Sequence, residues 1–469
     1  MAKKNCIMCD STAGSHEHVF PAVLGGRRTN KGIYCTPHNN AFGRHVAELE
    51  KQLSMFNAIL KVRPDRRDAP KSFTFTDTVG DNFSMLGQSI QTAPPPSLNQ
   101  LGHQHGASVA LKFGSMEQFE TWKEEQRKSG WDVRIADGSR EMQEHHFASP
   151  VSIQLRFGGH DALQAVGYLA LTFFAQYFPD EVRSKEFEPF KDFLKLDFSK
   201  DEDKSGWRSN LVWWDGRDTK EVAGQNPFQF GHSIIIGTSA SKKRAYAYVS
   251  FFSSLNFGID LGPINDAHEQ MVCVFIDPTA EKAPNDWKVI RSDTFSIEVD
   301  PATSDLTDMI QSGSAEAAIG QFLRKVGEWH FNCFIREIEE DLKKWTQNRS
   351  IDAADFAGTL VHAHRQRVLN VLLSATTGIA EQFKQRALPA TLITILDKLI
   401  EADDSQPNGI SKKTNDVLEI AKKKITEAVK HELSKQRPNS EVIASLIGNT
   451  EGIFLVTKEV VQPILLNSL

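Results

Sequence analysis

Hydrophobic positions change period four times along the chain. Within residues 39–60, Phe42, Val46, Leu49 and Leu53 recur at helical spacing, which predicts a helix with one apolar stripe turned to a partner. VRPDRRDAPKSF (62–73) and QTAPPPSLNQLGHQHG (91–106) then break the pattern with prolines, and residues 71–106 read as a linker. From about 107 to 298, short runs rich in β-branched and aromatic residues predict strands: SVALKF, VSIQLRF, HSIIIG, RAYAYVSFF, MVCVFID and FSIEV. HDALQAVGYLALTFFAQYF (160–178) is apolar nearly all round, as expected of a helix buried against a sheet, and SKEFEPFKDFLKL (184–196) is amphipathic. Residues 107–300 are therefore expected to form an α+β domain. Beyond about 305 strand signals nearly vanish, and helical patterns at 315–347, 352–385, 388–402 and 411–436 predict a bundle or arm over 301–469. No fixed-period repeat is visible, which disfavours a solenoid.

Composition adds little until it is divided. The 469 residues carry a net charge of −6, with 40% hydrophobic and 24% charged residues, near globular averages. Residues 1–70 hold 11 Lys and Arg against 6 Asp and Glu, a net of +5, which leaves −11 for the remainder. A basic head on an acidic body suggests that the head meets a polyanion. No apolar run approaches the roughly 18–20 residues of a membrane span, and MAKKNCIMCD lacks a secretory apolar core. The expectation is a cytoplasmic protein with no membrane partner. Of the five cysteines, three fall within the first 35 residues, and this is not a disulfide framework. Cys273 and Cys333 read as small buried hydrophobes.

The three early cysteines sit in a recognisable spacing. Cys6-x-x-Cys9 and Cys35-x-x-His38 form two half-sites 25 residues apart and together offer the four ligands of a tetrahedral structural zinc. In so small a unit, metal binding would supply folding free energy. Between the half-sites, EHVFP, LGG and GIYC predict a strand, a turn and a second strand, and Asn39 opens the helix that follows. Glu17 and His18 fall on the first strand. Neighbours on an ideal strand point to opposite faces, so both reach one ion only if the strand ends there, as Pro21 would favour.

In order and spacing these residues resemble the HNH endonucleases, particularly zinc-stabilised members with the form Cys-x-x-Cys, Asp/Glu-His, Cys-x-x-Cys-Asn, such as the phage resolvases of the endonuclease VII type. The resemblance covers residues 5–55, about a ninth of the chain. It implies a zinc-bound ββα-metal head at 1–70; with the pattern read above, the expectation is a multi-domain α+β protein with that head, a linker at 71–106, an α+β domain at 107–300 and a mainly helical region at 301–469. It further implies that Glu17 and Asn39 hold a catalytic Mg²⁺ or Mn²⁺ and that His18 is the general base. His38 stands where the family has a fourth cysteine, and Glu17 where aspartate is commoner; zinc and magnesium chemistry accommodate both. Arg27, Arg28, Lys31 and Arg44 surround the motif as candidate phosphate contacts. His45, about 240° round the helix from Asn39, is not counted as a ligand and is left as a candidate phosphate contact. His16 lies outside the motif.

The implied activity is hydrolysis of DNA phosphodiester bonds. A head of this kind on a long accessory body resembles regulated nucleases of bacterial restriction and anti-phage defence, the helical region being a candidate for self-association or partner binding. The alternative is a zinc-stabilised nucleic-acid-binding or assembly module without catalysis. Other features read as structural: His103, His105, His145 and His146 as solvated, Trp213 and Trp214 as buried, His362 and His364 on different faces of one helix, and Lys422 to Lys424 as a solvated face.

Overall fold

The computed structural model describes residues 4–65, 69–76, 80, 82–136, 158–197, 211–265, 268–280, 287–293, 313–347, 351–385, 394–396, 399 and 411–466. The fold mixes helix and sheet. Two compact units divide it, residues 1–132 with 153–325, and residues 133–152 with 326–469. The expected boundary between head and body at 71–106 does not coincide with this division, because residues of the head pack on the centre of the first unit.

That unit begins with β1 (Glu17–His18) and β2 (Thr29–Asn30), an antiparallel pair with Glu17 opposite Asn30 and His18 opposite Thr29. Pro21 ends the first strand and its carbonyl accepts from Leu24 and Gly26, closing the turn. A Cβ on Gly26 would lie 2.0 Å from the Phe20 carbonyl oxygen, so only glycine fits. The second strand is not GIYC as expected. Asn30 Oδ1 accepts from Gly32 N, turning the chain, and the carbonyls of Ile33 and Tyr34 accept from Ile7, Gly14 and Ser15 of the N-terminal loop instead. α1 (Thr36–Ile59) follows, with Pro37 in its first turn, so His38 and Asn39 both sit where the helix starts.

Much of the expected linker is ordered as β3 (Phe73–Thr76), β4 (Asn82–Leu86) and β5 (Ser89–Thr92), an antiparallel sheet packed under α1. Alternation of Phe73 and Phe75, the latter against Phe83, gives it an aromatic face, and the prolines crowd only beyond Thr92. SVALKF forms no strand. Its Phe113 packs edge-on against Phe119 and Trp122 of α2 (Met116–Lys128).

α3 (His160–Tyr177) explains its own sequence. It is apolar nearly all round because α1 covers one side and a six-stranded sheet the other, and every residue from Ala162 to Ala175 is buried. Two short 3-10 turns lead from it to α4 (Glu188–Lys195). After β6 (Val212–Trp214) and α5 (Thr219–Ala223) come β7 (His232–Ser239), β8 (Arg244–Phe251), β9 (Leu255–Pro263), β10 (Gln270–Ile276) and β11 (Trp287–Ser292), in the order β11-β10-β7-β8-β9-β6, all antiparallel. β9 escaped the strand pattern because of its glycines. A Cβ on Gly258 would meet the Trp213 ring at 2.4 Å, so the glycine makes room for the indole of the neighbouring strand. Trp213, Trp214 and Cys273 are buried as expected, whereas Cys333 is half-buried. The runs VSIQLRF and FSIEV, with His145 and His146, lie outside the described residues.

Among the described residues, the regular elements of the second unit are all helices. α6 (Ser314–Gln347) enters it at Val326, followed by α7 (Ala353–Ala363), α8 (Arg365–Gln385), α9 (Lys412–Leu433), α10 (Ser440–Gly448), α11 (Thr450–Val456) and α12 (Gln462–Leu466). Phe334, Leu360, Leu372, Leu418, Ile425 and Ile443 are among its core residues. The expected helix 352–385 breaks at His364, and most of 388–402 lies outside the described residues. Among the described residues, no helix is long and apolar enough to cross a membrane.

Candidate metal centre and adjoining site

Cys6, Cys9, Cys35 and His38 converge, their ligand atoms all within 4.8 Å of one another, and could hold a metal ion. His38 presents Nδ1, which lies 3.7 Å from Cys6 Sγ, 3.5 Å from Cys9 Sγ and 3.2 Å from Cys35 Sγ; Cys9 and Cys35 sulfurs are 3.9 Å apart. A tetrahedral zinc with bonds of about 2.3 Å to sulfur and about 2.0 Å to nitrogen would set roughly 3.8 Å between sulfurs and roughly 3.5 Å from sulfur to nitrogen. The separations match. The backbone of the first half-site wraps its sulfur, Met8 N donating to Cys6 Sγ at 3.4 Å. Burial pushes the Cys6 thiol up to about 11, so a thiolate there needs a cation beside it.

The residues expected to carry chemistry adjoin this cluster in sequence and take separate partners. Glu17 is 8% exposed, and the hydroxyl of Tyr168 on α3 donates to its Oε1 at 2.7 Å. Burial raises the Glu17 carboxyl above its ordinary range, opposed by that hydrogen bond and by the charge of His18. His18 Nε2 lies 3.2 Å from Asp65 Oδ2. Asn39 Oδ1 is buried with no hydrogen-bond partner among the described residues. No hydrogen bond links Glu17, His18 and Asn39 to one another among the described residues. The sequence argument that Glu17 and His18 face opposite sides of a strand agrees with their partners, a buried helix on one side and a surface carboxylate on the other.

Around Tyr168 an aromatic and hydroxyl network ties head to sheet-covering helix. Tyr34 stacks on Tyr168 with centroids 5.8 Å apart, its hydroxyl lies 2.9 Å from Thr172 Oγ1, and Thr172 donates back to the Tyr168 carbonyl at 2.8 Å. Phe20 meets Phe173 edge-on. Arg183 donates to the carbonyls of Asn5 and Gly32, clamping both ends of the metal loop.

The candidate phosphate contacts divide. Arg44 donates to the carbonyls of Leu194 and Leu196, and His45, 2% exposed, places Nε2 3.2 Å from the Leu194 carbonyl while its ring stacks on Tyr168. Burial, aided by the Arg44 charge, takes His45 down to about 4, so its ring is neutral and structural rather than a phosphate contact. Arg27 is anchored to the Ala280 carbonyl and faces Asp65. Arg28 lies over Trp287 at 4.8 Å, and both it and Lys31 are exposed. Exposed His16 takes no part, and His105 stacks on Trp131.

Sequence reasoning missed Tyr168 and Asp65. Tyr168 is one aromatic among many in an apolar helix, and Asp65 one carboxylate in a mixed-charge turn; only contacts across 151 and 47 positions single them out. No family model, curated protein or solved structure matches the chain.

Proposed function

We propose that the protein is a metal-dependent HNH endonuclease with a zinc-stabilised ββα-metal head that hydrolyses DNA phosphodiester bonds. Cys6, Cys9, Cys35 and His38 would hold the structural zinc, and Glu17 with Asn39 a catalytic Mg²⁺ or Mn²⁺. The observation that carries this reading is Asn39 Oδ1, a buried carbonyl oxygen with no partner among the described residues, one position beyond a ligand of the metal cluster. Such an oxygen, unpaired, costs free energy and is a hard donor suited to magnesium. Glu17 matches it in chemistry, a carboxylate being a second hard oxygen ligand, and Tyr168 holds its Oε1 in place. When bound, the divalent ion supplies Lewis-acid stabilisation of negative charge on the scissile phosphate.

His18 takes a proton from the attacking water, imidazole being the side chain suited to general-base work near neutral pH. Attack breaks the bond from phosphorus to the leaving sugar oxygen, which takes a proton from solvent. Arg28 and Lys31, exposed beside β2, are the remaining candidates for gripping flanking phosphates. The body would regulate cutting, as in an effector of bacterial restriction or anti-phage defence, with the helical unit available for self-association or a protein partner.

The test is incubation of the full chain with supercoiled plasmid and Mg²⁺ or Mn²⁺, with and without phage nucleic acid, beside His18→Ala. Nicking that falls by about 10²-fold or more in the variant supports the reading; equal nicking by both proteins, or none under any condition, overturns it. A second reading, the non-catalytic nucleic-acid-binding or assembly module, draws on the internal partners that Glu17 and His18 already have. It predicts metal-independent, steeply salt-dependent binding that Glu17→Ala leaves intact.

A further inference from the structure

We infer that Asp65 is a positioning residue for His18 and thereby decides which ring nitrogen takes the proton. The inference rests on the nuclease reading above and assigns it a residue outside the HNH-like segment. Asp65 is delivered by the far end of the same helix whose start carries Asn39. α1 terminates in a left-handed residue, Lys61 (φ 54°), with Lys61 N donating to the Ala58 carbonyl at 3.1 Å and Val62 N to the Asn57 carbonyl at 2.9 Å. Val62 and Pro64 are then buried, which pins the exposed Asp65 beside β1. Its Oδ2 lies 3.2 Å from His18 Nε2, and its Oδ1 faces Arg27 Nη1 at 4.0 Å. Arg27 is itself fixed by the Ala280 carbonyl, so the carboxylate is held from both sides.

A carboxylate can only accept, so Nε2 carries the hydrogen in this contact. In the neutral ring the lone pair then belongs to Nδ1, and that atom receives the proton of the attacking water. The Nε2–H bond to Asp65 persists when Nδ1 has taken the proton. Without the carboxylate the ring is free to turn and to exchange tautomers, and a base that spends part of its time misaligned loses rate without loss of substrate affinity.

The test uses the full chain with ¹⁵N-labelled histidine, His18 being assigned by His18→Gln, at a pH where the ring is neutral. The expected long-range ¹⁵N–¹H pattern is the Nε2–H tautomer in the parent, mixed tautomers in Asp65→Ala, and partial recovery in Asp65→Glu. In plasmid nicking, Asp65→Ala should lower kcat by roughly 10- to 100-fold with KM and the half-maximal Mg²⁺ concentration unchanged. Added to His18→Ala it should lower kcat no further. An Nδ1–H tautomer in the parent, or a loss of rate that adds in full to that of His18→Ala, overturns the inference. If the tautomer behaves as expected while His18→Ala nicks DNA as well as the parent, the positioning contact stands and the nuclease reading fails.

Discussion

The phenol of Tyr168, in the middle of a buried helix, donates to Glu17 Oε1 at 2.7 Å, linking the short β1 strand to the centre of the sheet-bearing unit. Burial raises the Glu17 carboxyl, and this bond, ahead of the charge of His18, opposes the rise, so the two residues are energetically coupled. Tyr168→Phe should destabilise the first unit by about 1–3 kcal/mol, read by urea unfolding. Under the nuclease reading the same variant should need more Mn²⁺ for half-maximal nicking, because Glu17 Oε1 then competes for other partners.

The metal cluster makes a compositional prediction. Purified protein should contain about one zinc per chain by elemental analysis, and Cys35→Ser should lose most of it, since three protein ligands hold a structural zinc far less tightly than four. Stripping the metal with a chelator should lower the thermal midpoint, because the cluster ties the Cys6 loop to the start of α1 and its binding free energy is folding free energy. Chelation that left both the midpoint and the fold unchanged would count against a structural metal.

His45 makes a pH prediction. Its folded-state value of about 4 lies below the ordinary 6.5, so the unfolded chain binds the proton more readily. The stability tied to this group is complete above about pH 6.5, falls as the pH drops, and is lost by about pH 4. His232, fully buried and held down to about 3, adds in the same direction. Urea unfolding at pH 7 and pH 5 should show lower stability at pH 5, and His45→Gln, which keeps a donor for the Leu194 carbonyl, should flatten that difference.

Gly26 tests the turn that sets β1 against β2. Gly26→Ala would drive a methyl into the Phe20 carbonyl at 2.0 Å, against backbone that Pro21 and the turn hold in place. A loss of about 2–4 kcal/mol is expected in chemical unfolding. Gly14→Ala, with open space at its Cβ, is the matched control and should change stability by less than about 1 kcal/mol.

Much of this was legible in local pattern. The spacing of Cys6, Cys9, Cys35 and His38 foretold a cluster able to hold a metal, and the period of residues 160–178 foretold a helix covered on more than one side. The C-terminal patterns foretold helices, and HSIIIG, RAYAYVSFF and MVCVFID foretold central strands. Where the reading failed, a distant residue had overridden local preference. β9 is a strand despite Gly258 because Trp213 fills the space that a side chain would occupy. GIYC is not a strand because the N-terminal loop has taken its carbonyls.

The sequence by itself determined the four ligands of the metal cluster, because each half-site is a pair of residues three positions apart, and it determined the helices and strands whose apolar period is strong. It also placed Glu17 and His18 side by side on a strand, with the opposite facing that a two-residue period imposes. Only the tertiary structure decided what each of them meets. Tyr168 reaches Glu17 and Asp65 reaches His18 because α3 lies against the head and α1 carries the chain back to β1. Those contacts depend on how elements pack, and no local period records packing between segments 47 and 151 positions apart.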